Sequence, residues 1–366
     1  MSREHERRRT LHSFVGSAAV PESNTMNGMS SIDIGRHRQI DPPAPLPYHR
    51  IAHLTATTGK WWRPLVVILL GAVLLAGAFV IYPILVTLAG VLLNMAPTTS
   101  AFDDPRNPMD LMVALGSVAV GVPVILFAFR WGSGRHRSMR GTVHSVRGRF
   151  RWHLVARAGL VVFPIVALVN LVSFLVMPPP DLSAPPASWS LVLAYVVILV
   201  LTPLQCAAEE YVYRALPLQT FGTWLRSPLW GIILPVPLFM VAHEYGWVGQ
   251  IDIATFAVCM GILTWKTGGI ECAILLHTAH NLTLLLLGTW SPSSMKQGGE
   301  EPLTLLFSLP PLFVLTFGLM WWISRREKLA FWEALRGSGH LETARASGRS
   351  CPNAVDGREQ RGEIYG

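Results

Sequence analysis

Charge is what this chain has least of. Asp, Glu, Lys and Arg make up 14% of its 366 residues, against about 25% in a soluble globular domain. The shortage is uneven. Charges sit in a few blocks, and between them run apolar stretches of about 18 residues or more, long enough to cross a bilayer as helices. Inside lipid a helix satisfies its own backbone hydrogen bonds, so helices are the favoured way across. Cysteine is also scarce, with 4 in the chain. Cys206, Cys259 and Cys272 lie in or beside apolar runs and Cys351 in a polar stretch. No pair has C-x-x-C spacing, so nothing argues for a disulfide framework, and all read as small core residues.

Familiar nucleophile and metal signatures are missing too. There is no G-x-S-G near a span, no G-x-G-D and no H-E-x-x-H. His243-Glu244 begins the last pattern, but Tyr245-Gly246-Trp247 does not complete it. No apolar segment follows the early arginines, so the N-terminus does not read as a signal peptide. No internal repeat is visible, which weighs against an inverted-repeat transporter.

What is present is a series of apolar runs, at 65–95, 109–129, 154–177, 189–208, 229–243, 250–266, 269–288 and 303–323. The predicted fold is an all-α, polytopic transmembrane bundle of about eight spans. The first run exceeds one crossing and contains Pro83, so a tilt or bend is expected there. A basic loop follows the second run, with Arg130, Arg135, Arg137, Arg140, Arg147, Arg149 and Arg151. Arg226, Lys266 and the 325–328 cluster fall on the same side, whereas the opposite loops hold only Arg106 and Lys296. By the positive-inside rule both termini are cytosolic. The net charge of +8 is thereby explained by topology, with no nucleic-acid partner. The basic loop could also attract anionic headgroups; a topology determinant is the plainer reading.

The expected organisation is a disordered polar cytosolic tail over 1–60 and N-terminal transmembrane helices over 61–188 with the basic cytosolic loop at 130–152. A transmembrane core follows over 189–290, then the last helix over 291–330 and a disordered cytosolic tail over 331–366. Trp61, Trp62, Trp131, Trp152, Trp321 and Trp322 end the runs, as interfacial tryptophans do. The bilayer is the expected partner, and the protein is read as integral to the cell membrane.

Ionisable groups inside spans are costly and so point to function. The first half has Asp110, Arg157 and Asn170. The second half concentrates them. Glu209 and Glu210 end the fourth run, and Glu210 is four residues before Arg214, as in a helical ion pair. Glu209 points about 100° away and is available to another partner. His243 ends the fifth run, four residues after Phe239 on the same face. His277, His280 and Asn281 lie mid-run and share one helical face. Solvated glutamates, a capping histidine and a polar helix contact are the plainer alternatives. Together, though, these groups offer a carboxylate to activate water and imidazole or amide donors for an oxyanion. The same set could bind a divalent metal such as zinc.

The three clusters, Glu209-Glu210-Tyr-Val-Tyr-Arg214, Phe239-Met-Val-Ala-His243 and His277-Thr-Ala-His-Asn281, resemble the E-E-x-x-x-R, F-x-x-x-H and H-x-x-x-N motifs of the CPBP intramembrane proteases. That family groups CAAX prenyl proteases with Abi-type bacteriocin-processing proteins. The resemblance covers roughly 190–290, and Ala215 stands where the family usually has Gly. It implies peptide-bond hydrolysis of a membrane-associated protein or peptide. Glu209 would activate the water, His243 assist, His277 and Asn281 stabilise the oxyanion, and Glu210 with Arg214 hold the site. If a metal binds, Glu209, His243 and His277 are the candidate ligands. His280 has no assigned role. Alternatives are a non-proteolytic immunity or scaffold protein of the same fold, and a proton-coupled carrier. The sequence does not specify the substrate or the oligomeric state.

Overall fold

The computed structural model describes residues 44–95, 103–134, 137–295 and 301–338. Of the tails expected over 1–60 and 331–366, residues 1–43 and 339–366 lie outside them, as do Arg135 and Lys296. Among the described residues eleven α-helices follow in chain order. They are α1 (Arg63–Leu92), α2 (Pro108–Ala119), α3 (Gly121–Gly132), α4 (Trp152–Val176), α5 (Trp189–Glu210), α6 (Leu216–Trp224), α7 (Leu229–Ile233), α8 (Val236–Val241), α9 (Trp247–Thr267), α10 (Glu271–Gly288) and α11 (Thr304–Glu327). A π-helical turn, Tyr211–Ala215, joins α5 to α6.

Seven helical stretches are long and apolar enough to cross a membrane, with α2–α3 and α5–α6 each counting as one. The eighth apolar run is α7–α8, Leu229–Val241. Its 13 positions would rise only about 20 Å, short of the ~30 Å hydrocarbon core. Pro235 and Pro237 account for the break, because proline lacks the N–H a helix interior needs. Leu69, Val73, Leu85, Leu160, Leu175, Val200 and Val241 are among many large apolar side chains facing outward, as lipid contact requires. This is an integral membrane protein.

The loops sort onto two faces. On one, residues 46–47 (β1) pair antiparallel with 336–337 (β2), so the start of α1 and the end of α11 lie together. Arg50 Nη1 donates to Gly222 O at 2.7 Å, and Ser145 bridges Gly269. This face exposes Arg130, Arg140, Arg147, Arg149, Arg226, Arg325, Arg326 and Lys328. On the opposite face Arg106 ties three loops, with Nε donating to Thr289 O at 2.7 Å and Nη2 to Ser183 O at 3.1 Å.

Two expected tails are shorter than the sequence suggested. Residues 48–54 form a 3-10 helix with Tyr48 and Ile51 wholly buried against Met139, Val143 and Leu218. A Cβ on Gly222 would sit 1.7 Å from His49 O, so α6 admits this collar only because residue 222 has none. At the other end Leu335 is buried and its N–H donates to Lys266 O at 3.0 Å. Lys266 is itself buried, with Nζ donating to Ala330 O at 2.8 Å; it is a clasp for the C-terminal segment and not a surface charge.

Asp181, on the face opposite the basic one, accepts from Ser291 Oγ and from Ser293 N at 2.9 Å. Bonds from Ser291 and Ser293 hold its carboxyl down at about 2, from 3.8. A depressed carboxylate stabilises above its unfolded value and loses that contribution as pH falls through the folded one. Proteolysis near residue 181 is expected to accelerate as pH drops from about 4 to about 2. Asp181→Asn should raise cleavage at neutral pH and flatten the profile. An identical profile in that variant would contradict the assignment.

Candidate active site

Glu209 and Glu210 occupy the last turn of α5, which begins with Ser188 capping Leu191 N at 3.1 Å. The chain then enters the π turn that carries Arg214. Such turns frequently mark functional positions, because the extra residue re-aims side chains. Arg214 Nε lies 3.3 Å from Glu210 Oε2, the ion pair the spacing predicts. The guanidinium lies over the Phe239 ring, 4.4 Å from its centroid, and 5.8 Å from that of Phe256.

His277 joins both carboxylates. Its Nδ1 donates to Glu210 Oε1 at 2.8 Å, and its Nε2 faces Glu209 Oε2 at 3.6 Å. His277 stands six residues into α10, about 9 Å below the basic face. Asn281, one turn on, has Nδ2 at 3.2 Å from His277 Nε2 and 3.4 Å from Gln205 Oε1. Gln205 Nε2 in turn donates to Glu209 Oε1. Glu209, Glu210, Arg214 and His277 are all buried.

Unpaired atoms mark where something else fits. Glu209 Oε2 and Arg214 Nη1 and Nη2 are buried without a hydrogen-bond partner, and such groups normally bind water or a ligand. Two atoms 3.6 Å apart can share one water at roughly 2.8 Å from each. A water between Glu209 Oε2 and His277 Nε2 would contact both.

Two residues stand apart. His243 Nδ1 donates to Phe239 O at 2.8 Å, and its ring stacks on Tyr245. It meets the cluster through Phe239, 4.8 Å away between centroids, whose ring lies over Arg214. His280 shares the Phe256 ring with His277 but bonds none of the other site residues. It lines a separate cavity of about 50 Å3 with Asp252, Asn170 and Leu312. His280 lies 60° from His277 on the side away from Asn281; both histidines meet the Phe256 ring, while the 100° to Asn281 turns His280 toward this cavity. Gln205 and Phe256 were not singled out by motif. Gln205 is signalled by a polar residue one turn before Glu209 in an apolar run; Phe256, packed edge-on to His277, has no sequence signal.

This arrangement matches a known family. Residues 188–283 fit the family model for type II CAAX prenyl endopeptidase, Rce1-like, and they contain all three motifs. Residues 188–283 are thus similar to that family over the transmembrane core. The match covers 96 of the 366 residues and takes in α5 through most of α10. The chain is also similar to the uncharacterized protein YyaK of Bacillus subtilis (strain 168), at 28% identity over 193 residues, which is 50% of this chain and 59% of that protein. The alignment thus spans well under two thirds of that relative. No solved structure matches.

Among the described residues no three His, Cys, Asp or Glu side chains are grouped to hold an ion. His277 and His243 each use Nδ1 for their bonds to Glu210 Oε1 and to Phe239 O, which leaves Nε2 as the ring nitrogen that could face an ion. Glu209, His243 and His277 do not form such a group.

Proposed function

We propose that this protein is an intramembrane endopeptidase that hydrolyses a peptide bond of a membrane-associated protein or peptide. The observation that carries this reading is the His277 imidazole held between Glu209 and Glu210 inside a bundle of membrane-spanning helices. Glu209 takes a proton from the water as its oxygen attacks the carbonyl carbon. The C–N bond then breaks, and Glu209 returns the proton to the leaving amine. Glu210 fixes the His277 ring through Nδ1 and balances positive charge on it, as a carboxylate behind a catalytic imidazole does. A charged His277 donates from Nε2 to the developing oxyanion, with Asn281 beside it. Arg214 anchors Glu210. His243 meets the cluster through Phe239 and would assist from there. The positive-inside rule supports a cytosolic basic face, with the start of α1, the end of α11 and the shallower side of the site on it.

The test uses purified protein in liposomes with membrane-anchored and C-terminal peptides. Wild type is expected to cleave at least one of them. His277→Ala should lower the rate about 10²–10³-fold, the range for losing an oxyanion donor. Equal rates would contradict the reading. A chelator arm measures any dependence on a divalent ion and should leave the rate unchanged. The remote placement of His243 favours one second reading, a non-proteolytic scaffold of the same fold; its partner binding would survive His277→Ala.

A further inference from the structure

The basic face contains a pocket of about 480 Å3 between the start of α4 and the end of α11, within the size range of small-ligand sites. Arg147, Arg149, Arg151 and Arg326 line it, with Glu327 as the one carboxylate. Arg151 is spent on Glu271, 2.7 Å away. Glu327 is shared, 3.0 Å from Arg147 Nη2 and 3.6 Å from Arg326 Nε. Arg149 is exposed, and its guanidinium bonds no protein group among the described residues. The pocket therefore keeps an excess of positive charge that the protein leaves unmatched.

Its surroundings say what kind of anion fits. Leu154 and Ile323 line it from the apolar core. Trp152 and Trp321 project outward beside it, and Arg325 and Arg326 lie over Trp321 and Trp322. Tryptophans at helix ends sit at headgroup level, so the pocket opens where lipid phosphates are. A choline or ethanolamine cation would be repelled by the surplus arginines, whereas an anionic headgroup would not.

We infer that this pocket binds an anionic phospholipid, with its phosphate between Arg149 and Arg326. Basic pockets between helices on a cytosolic face suit this chemistry. The bound phosphate links α4 to α11 and lies beside Arg151, whose partner Glu271 starts the helix bearing His277.

Native mass spectrometry of the detergent-purified full chain tests this independently of any cleavage. Phosphatidylglycerol and phosphatidylcholine with identical acyl chains are titrated in parallel. Each arginine at such a surface contributes about fivefold, so wild type should bind the first phosphatidylglycerol more than about tenfold tighter. Arg149→Gln with Arg326→Gln should abolish the preference, and Arg149→Gln alone, which breaks no protein contact, should reduce it about fivefold. Arg157→Gln, exposed on α4 outside the pocket, should leave it intact. A preference that survives the double variant, or falls equally in Arg157→Gln, overturns the assignment. Loss of the preference in millimolar inorganic phosphate would assign the pocket to a soluble anion and overturn the lipid.

Discussion

Glu209→Gln is expected to lower the cleavage rate about 10³-fold while the protein stays folded. Glutamine keeps the shape of the side chain and an oxygen to accept from Gln205 Nε2. It cannot take a proton from water. The other carboxylate oxygen, Oε2, faces His277 Nε2 at 3.6 Å but makes no hydrogen bond, so the substitution breaks none. The loss should fall on kcat, with KM close to wild type, because the base acts in the transition state and not in holding substrate. Single-turnover cleavage with thermal unfolding of both proteins checks it. A KM defect with normal kcat would make Glu209 a binding group instead.

Glu271→Ala is expected to cost about 3–5 kcal/mol of stability, the range for removing one partner of a buried pair. Arg151 is 6% exposed and Glu271 wholly buried. Arg151 meets that carboxylate three times, through N at 3.0 Å, Nε at 2.9 Å and Nη2 at 2.7 Å. Burial works against the Arg151 charge, but the bonds to Glu271 outweigh it and hold its pKa above the ordinary value. The alanine variant strands a buried guanidinium. The pair also fixes the tight α9–α10 turn, where Gly268 adopts φ +67° and a Cβ on Gly269 would sit 2.3 Å from Glu271 Oε2. His277 is positioned from this turn, so activity should fall with stability. Replacing both partners, Arg151→Met with Glu271→Leu, should recover much of the stability. Unfolding in mixed detergent micelles measures all three. A cost below about 1 kcal/mol in Glu271→Ala would show that the turn is held by its backbone bonds alone.

The long spans were legible because a bilayer imposes length and apolarity on every helix that crosses it, and seven of the eight runs became helices of crossing length. The residues at 44–54 and 335–337 were not legible. Their burial depends on a few side chains, Tyr48, Ile51 and Leu335, that meet partners far away in sequence. Within the site, the Glu210–Arg214 pair followed from spacing alone. The position of His277 between two carboxylates did not, because it depends on how α5 and α10 are rotated against each other. Periodicity placed His280 with His277, and both meet Phe256; the 100° separation from Asn281 lets it also line the cavity with Asp252. Gln205 escaped the motifs although it links Glu209 to Asn281.

The most direct test is cleavage of a membrane-anchored peptide in 18O-labelled water by wild type and Glu209→Gln side by side, with chelator present and products read by mass spectrometry. Glutamate-activated hydrolysis predicts 18O in the new carboxylate from wild type and about 10³-fold less product from the variant. Equal product from both proteins, or wild-type activity that the chelator removes and zinc restores, would contradict it.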